Sequence, residues 1–284
     1  MYPFFDLFGK DIPMYGVMCV LAAFVAAGFA SSRAKKYAVD TRDVVYMCIF
    51  AIIGAIIGAK ALAVVTFLIQ AALHRSEIVE AGFGLWDVIY GAFAGTGIVF
   101  FGGLIGGTIG GLVYLRMYKL SVPVFVDVAA PCIPIAHAIG RVGCFLAGCC
   151  YGVESAWGLE FNNSPAAPAH IKLLPIQLIE SDVNLLIAAI ILIYERIRNT
   201  CNECEHSSHA VHANKNNGKN LLVYLILYSI SRFVLEFWRG DAVRGVYLGV
   251  STSQIISVLI FIAAICLFLF YTRQGAKNLW MSNR

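Results

Sequence analysis

Two arginines, Arg141 and Arg232, stand inside apolar runs long enough to cross a bilayer. An arginine at mid-membrane costs roughly 2.5–3.5 kcal/mol on insertion scales, so it marks a functional position by default. Arg232 belongs to YLILYSISRFVLEFWRGD, where Tyr228, Arg232 and Glu236 recur every fourth residue. On a helix these three share one face at steps of about 6 Å. Glu236 can therefore partner Arg232 and lower the cost of burying either. A structural ion pair between helices is the plainer reading of the same spacing. Arg141 belongs to AHAIGRVGCFLAGCCYG, which puts His137, Arg141 and Cys144 at i, i+4 and i+7 on one face. Gly140, Gly143, Gly148 and Gly152 are expected to leave backbone amides accessible there. Such amides and a planar guanidinium both suit a phosphate diester, which arginine grips with two parallel charge-assisted hydrogen bonds. His137 reads equally as a catalytic group and as a satisfied buried histidine.

The nine cysteines lie mostly in apolar runs, where the residue behaves as a small hydrophobe, and no secreted disulfide framework is implied. Cys144, Cys149 and Cys150 admit a redox reading, although the vicinal pair Cys149–Cys150 cannot form an ordinary relaxed disulfide, and packing thiols are favoured. The stretch CNECEHSSHAVHANKNNGK offers Cys201, Cys204, His206, His209 and His212 as metal ligands. Its spacing is looser than that of a zinc finger, which favours adventitious binding. No metal is assigned to the functional site.

The elements that must hold the arginines are membrane spans. Of 284 residues, 60% are hydrophobic and 13% charged, with mean hydropathy +0.77. A soluble domain has about 45–50% apolar and about 25% charged residues, because its surface must meet water. The expected fold is an all-α integral membrane protein of about seven transmembrane helices, one polytopic domain over 1–284. Apolar runs place the spans at 13–31, 43–70, 88–115, 121–146, 176–195, 220–238 and 251–271. The fourth carries Asp127, Pro131, Pro134, His137 and Arg141 and is expected to be broken. The N-terminal MYPFFDLFGKDIP lacks the basic start of a cleavable signal peptide, so the first span is expected to remain.

Thirteen of the 21 Lys and Arg fall in the loops after spans 1, 3 and 5 and in the C-terminal tail, five on the opposite side, and three within spans. By the positive-inside rule the N-terminus faces out and the C-terminus the cytoplasm. The 199–219 segment is then a polar, Cys/His-rich cytoplasmic loop. The net charge of +4 reads as topology, and no nucleic-acid partner is expected. Gly102, Gly106 and Gly110 form one small-residue row in span 3, and Gly103, Gly107 and Gly111 another; Gly54 and Gly58 do the same in span 2. Such rows let helices approach closely in lipid. A second reading has the bare backbone at Gly102 and Gly103 admit a lipid headgroup.

Taken together, these segments resemble the prolipoprotein diacylglyceryl transferases over nearly the whole chain, from MYG in span 1 to LGVSTSQIISVL in span 7. The most specific stretches are GRVGCFLAGCCYG and YSISRFVLEFWRGD, with DVAAPCIPIAHAIGR leading into the first and LPIQLIES opening span 5. The resemblance implies functional roles for Tyr15, Arg141, Gly152, Tyr228, Arg232 and Glu236. It also implies a seven-span topology with the N-terminus outside, in a bacterial plasma (inner) membrane. The chain differs from the family pattern at Phe101, where a His usually precedes the paired glycines, and at Cys144, Ala147, Cys149, Lys60 and Leu174.

The expected reaction moves a diacylglyceryl group from phosphatidylglycerol to the lipobox cysteine of a prolipoprotein signal peptide, within the lipid bilayer. Arg141 and Arg232 would stabilise the leaving phosphate, Glu236 would orient Arg232, and Tyr228 would donate to the headgroup or hold the same network. His137 would serve as general base in place of the missing His. Tyr15, Gly102, Gly103 and Gly152 would complete the phospholipid site. No metal or organic cofactor is required. The alternatives are a non-catalytic lipid-binding or lipid-moving membrane paralogue, and a membrane thiol oxidoreductase using Cys144 and Cys149.

Overall fold

Apolar runs of this length have one stable answer in hydrocarbon: helices that satisfy their own backbone hydrogen bonds. The computed structural model describes residues 1–80, 82, 84–95, 97, 99–205, 218–240, 246–247 and 250–282. In chain order, a hairpin of β1 (Phe4–Leu7) and β2 (Lys10–Pro13) leads into α1 (Met14–Arg33), followed by α2 (Thr41–Leu73), α3 (Arg75–Glu80), α4 (Leu85–Tyr90) and α5 (Phe100–Met117). The broken pair α6 (Val122–Ala129) and α7 (Cys132–Ala147) precedes strands β3 (Glu154–Glu160) and β4 (Lys172–Leu173). The chain closes with α8 (Ile176–Glu205), α9 (Lys219–Leu235), the short strands β5 (Val246–Tyr247) and β6 (Val250–Ser251), and α10 (Thr252–Ser282). All three strand pairs are antiparallel; β1 pairs Phe4 with Pro13, and β3 pairs Glu160 with Lys172.

Among the described residues, seven helical segments are long and apolar enough to cross a membrane: Met14–Tyr37, Thr41–Leu73, Phe100–Met117, Val122–Ala147, Ile176–Arg198, Lys219–Trp238 and Thr252–Arg273. The expected break in the fourth falls at Ala130–Pro131, between α6 and α7. Proline has no N–H to donate and its ring clashes with the preceding turn. The third span differs from expectation. Residues 85–90 form the separate helix α4, a π-helical turn covers Gly91–Gly95, and the long helix starts only at Phe100. The run GAFAGTG explains the difference, since glycine costs a helix about 1 kcal/mol relative to alanine. Helix α8, the fifth span, continues to Glu205, into the segment expected as a loop. His206, His209 and His212 lie outside the described residues, and so do the side chains of Cys201 and Cys204.

The chain forms two compact units, Met1–Ala38 with Pro123–Arg284, and Val39–Val122. In the second unit α2 packs along α5. A Cβ on Gly54, Gly58, Gly102, Gly106 or Gly110 would run into backbone of the facing helix, Gly106 against the Gly54 carbonyl and Gly102 against the Gly58 carbonyl. Gly103 differs, because a Cβ there would sit 3.5 Å from the Ala55 oxygen and 3.6 Å from the Ala59 Cβ, ordinary contact.

In the first unit α7 packs against α1 and α8, α8 against α9, and α9 against α10. Large apolar side chains face outward, and polar groups are buried among the apolar ones within. Phe24, Leu186 and Leu259 are exposed, whereas Asp127, Gln177, Asn184, Glu195 and Asn220 are buried. One polar layer ties α1, α6, α8 and α9. Glu195 accepts from Arg33 at 2.7 Å and from the Tyr37 hydroxyl at 2.8 Å, and Lys36 lies 2.9 Å from it. The Asn220 backbone N–H donates to Asp127 at 2.9 Å, and the Asn220 side chain donates to Tyr37 at 2.9 Å. About 20 Å further along α8, fifteen residues at roughly 1.5 Å each, lies a second polar layer around Glu180.

Candidate active site

Helix α7 ends at Gly148, whose φ of +73° forms the left-handed cap that glycine adopts at least cost. Along α7, His137 and Arg141 are one turn apart, and the Arg141 Nε donates to the His137 Nε2 at 3.2 Å. The Arg141 Nη2 also pairs with the Glu180 Oε1 of α8 at 2.8 Å. On α9, the Arg232 Nη2 meets the Glu236 Oε2 at 3.0 Å and donates to the Ser253 hydroxyl of α10 at 3.1 Å, while its Nη1 stands 3.8 Å from the same Glu180 Oε1. The two arginines foreseen from sequence therefore belong to one site, and Glu180 joins them. The Tyr228 ring packs against His137 with centroids 5.4 Å apart and stacks on Tyr224 at 5.6 Å. Arg141 and Arg232 are 13% and 12% exposed and their carboxylates less, so water does little to screen these pairs.

Glu180 escaped the sequence reading, although its signal was present. Gln177, Glu180, Ser181 and Asn184 recur at i, i+3, i+4 and i+7 within an apolar span, and all four are buried. The Ser181 hydroxyl donates to the Ala138 carbonyl of α7 at 3.0 Å, and the Gln177 side chain donates to the Cys149 carbonyl at 2.7 Å. This polar stripe docks α8 onto α7 in the register that brings Glu180 to Arg141.

One expectation is corrected. The glycine amides are not open to a ligand: Gly140 and Gly143 lie inside α7, Gly148 donates to Phe145 at 3.1 Å, and Gly152 donates to Leu174 at 2.9 Å. At Gly152 the need is close approach, since a Cβ there would come within 2.9 Å of the Leu174 and Trp238 carbonyl oxygens. A general-base role for His137 would need the lone pair that accepts from Arg141 in this structure, so that contact would have to open during the reaction. An imidazole accepting at Nε2 carries its proton on Nδ1, so His137 is arranged to orient Arg141.

Tyr15, near the start of α1, packs on the Gly143 surface of α7, where an added Cβ would lie 3.5 Å from its ring. Beside Gly140 a Cβ would meet nothing within 4 Å, leaving open space next to Arg141. An apolar groove lies between α9 and α10, lined by Ser229, Phe233, Val258 and Phe261 among others. The thiols of Cys144, Cys149 and Cys150 gather within 4.8 Å of one another at the end of α7. Gly102 and Gly103 lie on α5 in the other compact unit.

Among the described residues, seven helical segments of this length and apolarity define a multi-pass membrane protein, and paired arginines and carboxylates are buried among α7, α8 and α9 of its first compact unit. The chain matches the family described as prolipoprotein diacylglyceryl transferase over residues 3–270, and it belongs to that family, an enzyme of the transferase class. It is similar to the phosphatidylglycerol–prolipoprotein diacylglyceryl transferase of Clostridium tetani (strain Massachusetts / E88), at 34% identity over 93% of this chain and 95% of the relative. A phosphatidylglycerol–prolipoprotein diacylglyceryl transferase 2 of Clostridium perfringens (strain 13 / Type A) is 31% identical, with 96% of each chain covered. The corresponding transferase of Campylobacter curvus (strain 525.92) is 28% identical over 96% of this chain and 94% of its own.

Proposed function

We propose that this chain transfers a diacylglyceryl group from phosphatidylglycerol to the lipobox cysteine thiol of a prolipoprotein, with glycerol phosphate leaving. The observation that carries the reading is the bridging of Arg141 and Arg232 by one buried carboxylate, with the Glu180 Oε1 at 2.8 Å and 3.8 Å from the two guanidiniums. A guanidinium has five N–H donors. Glu180, Glu236, Ser253 and His137 use only some of them and fix the planes of the rest. Those remaining are suited to the oxygens of a phosphate diester.

In the reaction the cysteine thiol gives up its proton, which ends on the departing glycerol phosphate or in water, and the sulfur attacks a terminal glyceryl carbon. The S–C bond forms as the C–O bond to phosphate breaks, and negative charge grows on the departing phosphate. Preorganised donors in a water-poor site stabilise that charge more than they stabilise the substrate, which lowers the barrier. Arg141 and Arg232 are the phosphate donors, and His137, Glu180 and Glu236 hold them in place. Tyr228, packed against His137, and Tyr15, at the α7 face, complete the headgroup contacts. The apolar groove between α9 and α10 suits an acyl chain, and holding the lipid favours a productive approach of the glyceryl carbon. The thirteen-to-five distribution of Lys and Arg supports a bacterial inner-membrane orientation with the N-terminus outside and the C-terminus in the cytoplasm.

The test is rescue of a bacterium depleted of its own diacylglyceryl transferase, scored by the mass of a reporter lipoprotein. The expected result is a diacylglyceryl-modified reporter with the native chain. An unmodified reporter with the chain abundant in the membrane would leave the non-catalytic lipid-binding reading in its place.

A further inference from the structure

We infer that Cys144, Cys149 and Cys150 form a three-thiolate site for a thiophilic closed-shell cation, zinc above all, at the extracytoplasmic end of α7 in the orientation proposed above. The three sulfurs already lie within 4.8 Å of one another. In a tetrahedral zinc site with Zn–S near 2.3 Å, sulfurs stand about 3.8 Å apart, so closure needs contraction of about an ångström or less. Side-chain rotation covers that distance. The Cys149 thiol, for example, now points at the Cys144 carbonyl oxygen, 3.7 Å away.

The backbone holds the sulfurs together independently of any ion. The left-handed cap at Gly148 reverses the chain after α7, and the Cys149 N–H donates back to the Cys144 carbonyl at 3.1 Å. Cys150 adopts a φ of +61°, a region that non-glycine residues seldom enter, and this turns its side chain back toward its neighbours. The Gln177 side chain pins the Cys149 carbonyl at 2.7 Å, Gly240 donates to the Tyr151 carbonyl at 3.0 Å, and Gly152 bridges to Arg239. The turn is thus anchored to α8 and to the segment after α9, and its convergence is preorganised.

Chemistry and charge favour the same ligand. Thiolates select zinc and similar soft cations over magnesium or calcium. Three thiolates around a dication carry one net negative charge, and the Arg141 and Arg239 cations lie close enough to act on Cys150. Cys144 is buried and its partners half-buried, which shields a site while leaving it reachable. Three protein ligands leave a fourth position for water or another small donor. This metal site stands apart from the transferase reading, since an inactive chain would bind the ion equally.

The experiment uses the full chain, purified under reducing conditions in lipid nanodiscs. Cys201 and Cys204 are replaced by Ser, and His206, His209 and His212 by Asn, so that no other cluster contributes. Zinc content is measured by elemental mass spectrometry, and cobalt titration reads the thiolate charge-transfer band. About one equivalent of tightly held metal is expected. Loss of an outer-shell partner alone costs a site about 10–100-fold in affinity, so Cys149→Ser or Cys150→Ser should weaken binding by at least that much. Cys266→Ser should leave it unchanged. Alkylation mapped by mass spectrometry on the unsubstituted chain supplies a second readout: zinc should protect Cys144, Cys149 and Cys150 together. Absence of the charge-transfer band overturns the proposal. So does equal binding by the Ser variants, or a Cys144–Cys149 disulfide whose reduction restores no metal uptake.

Discussion

The Arg141 Nη2 lies 2.8 Å from the Glu180 Oε1, and Arg232 approaches the same oxygen at 3.8 Å. One carboxylate on α8 therefore sets the spacing between cations on α7 and α9. Removing it would leave two positive charges facing each other with one remaining counterion, Glu236. Breaking a buried pair from one side costs about 3–5 kcal/mol, because the surviving charge stays desolvated. Glu180→Gln should lower thermal stability in detergent on that scale and abolish most lipidation. Pairing it with Arg141→Gln should restore part of the stability, with a coupling of about 0.5–3 kcal/mol. Strictly additive losses would mean that the two residues do not act as a pair.

The arginine planes are expected to matter more than their charge. Lysine keeps the cation but presents a single point donor in place of a fork. Arg141→Lys and Arg232→Lys should each reduce lipidation by roughly 10²–10³-fold, the scale of losing one preorganised donor to a developing charge. Membrane abundance should be nearly unchanged, because no buried carboxylate is stranded. Full activity in both variants would remove the phosphate clamp from the mechanism.

Much of this was legible from residue order, and the exceptions have physical causes. Seven spans follow from hydrocarbon thickness, and the break at Pro131 follows from a missing N–H. The face shared by Tyr228, Arg232 and Glu236 follows from helical spacing. The start of the third span was misplaced because GAFAGTG is apolar on average while its glycines do not sustain a helix. Glu180 was overlooked for a related reason. Span 5 passes any test of mean apolarity, and only its polar residues at i, i+3, i+4 and i+7 reveal a buried stripe. Pairing across helices was beyond reach, since spacing along α7 and α9 says nothing of what stands between them.

The glycine rows of α5, equivalent by sequence, separate sharply in the structure. A methyl on Gly106 would strike the Gly54 carbonyl, whereas one on Gly103 would rest at ordinary contact distance from Ala55 and Ala59. Gly106→Ala should therefore force α2 and α5 apart and cost about 1–3 kcal/mol, the range for overpacking. Gly103→Ala should cost little. Thermal unfolding in nanodiscs compares them directly, and equal losses would contradict the close packing of Gly106.

Orientation can be read with membrane-impermeant thiol reagents. In a background without other accessible cysteines, Asn162→Cys should label from outside intact cells and Lys215→Cys only after permeabilisation. The motive is the excess of Lys and Arg on the loops after spans 1, 3 and 5. Labelling of the 215 position in intact cells would invert the topology.

The last prediction separates two roles for His137. A general base must offer a lone pair to the incoming thiol, and a positioning residue must accept from the Arg141 Nε, as the structure has it at 3.2 Å. Glutamine retains an acceptor oxygen on a chain of similar length but has no basicity near neutral pH. His137→Gln should then keep most of the transferase rate, with an unaltered pH profile between pH 6 and 8. His137→Leu should lose activity on the scale of Arg141→Lys, because the guanidinium loses the contact that fixes its plane. The loss should appear in both kcat and KM, since a misaligned arginine grips the bound phosphate poorly as well as the departing one. If glutamine were instead as damaging as leucine and the residual rate rose steeply with pH, the imidazole would be moving a proton, and its contact with Arg141 would have to open during the reaction.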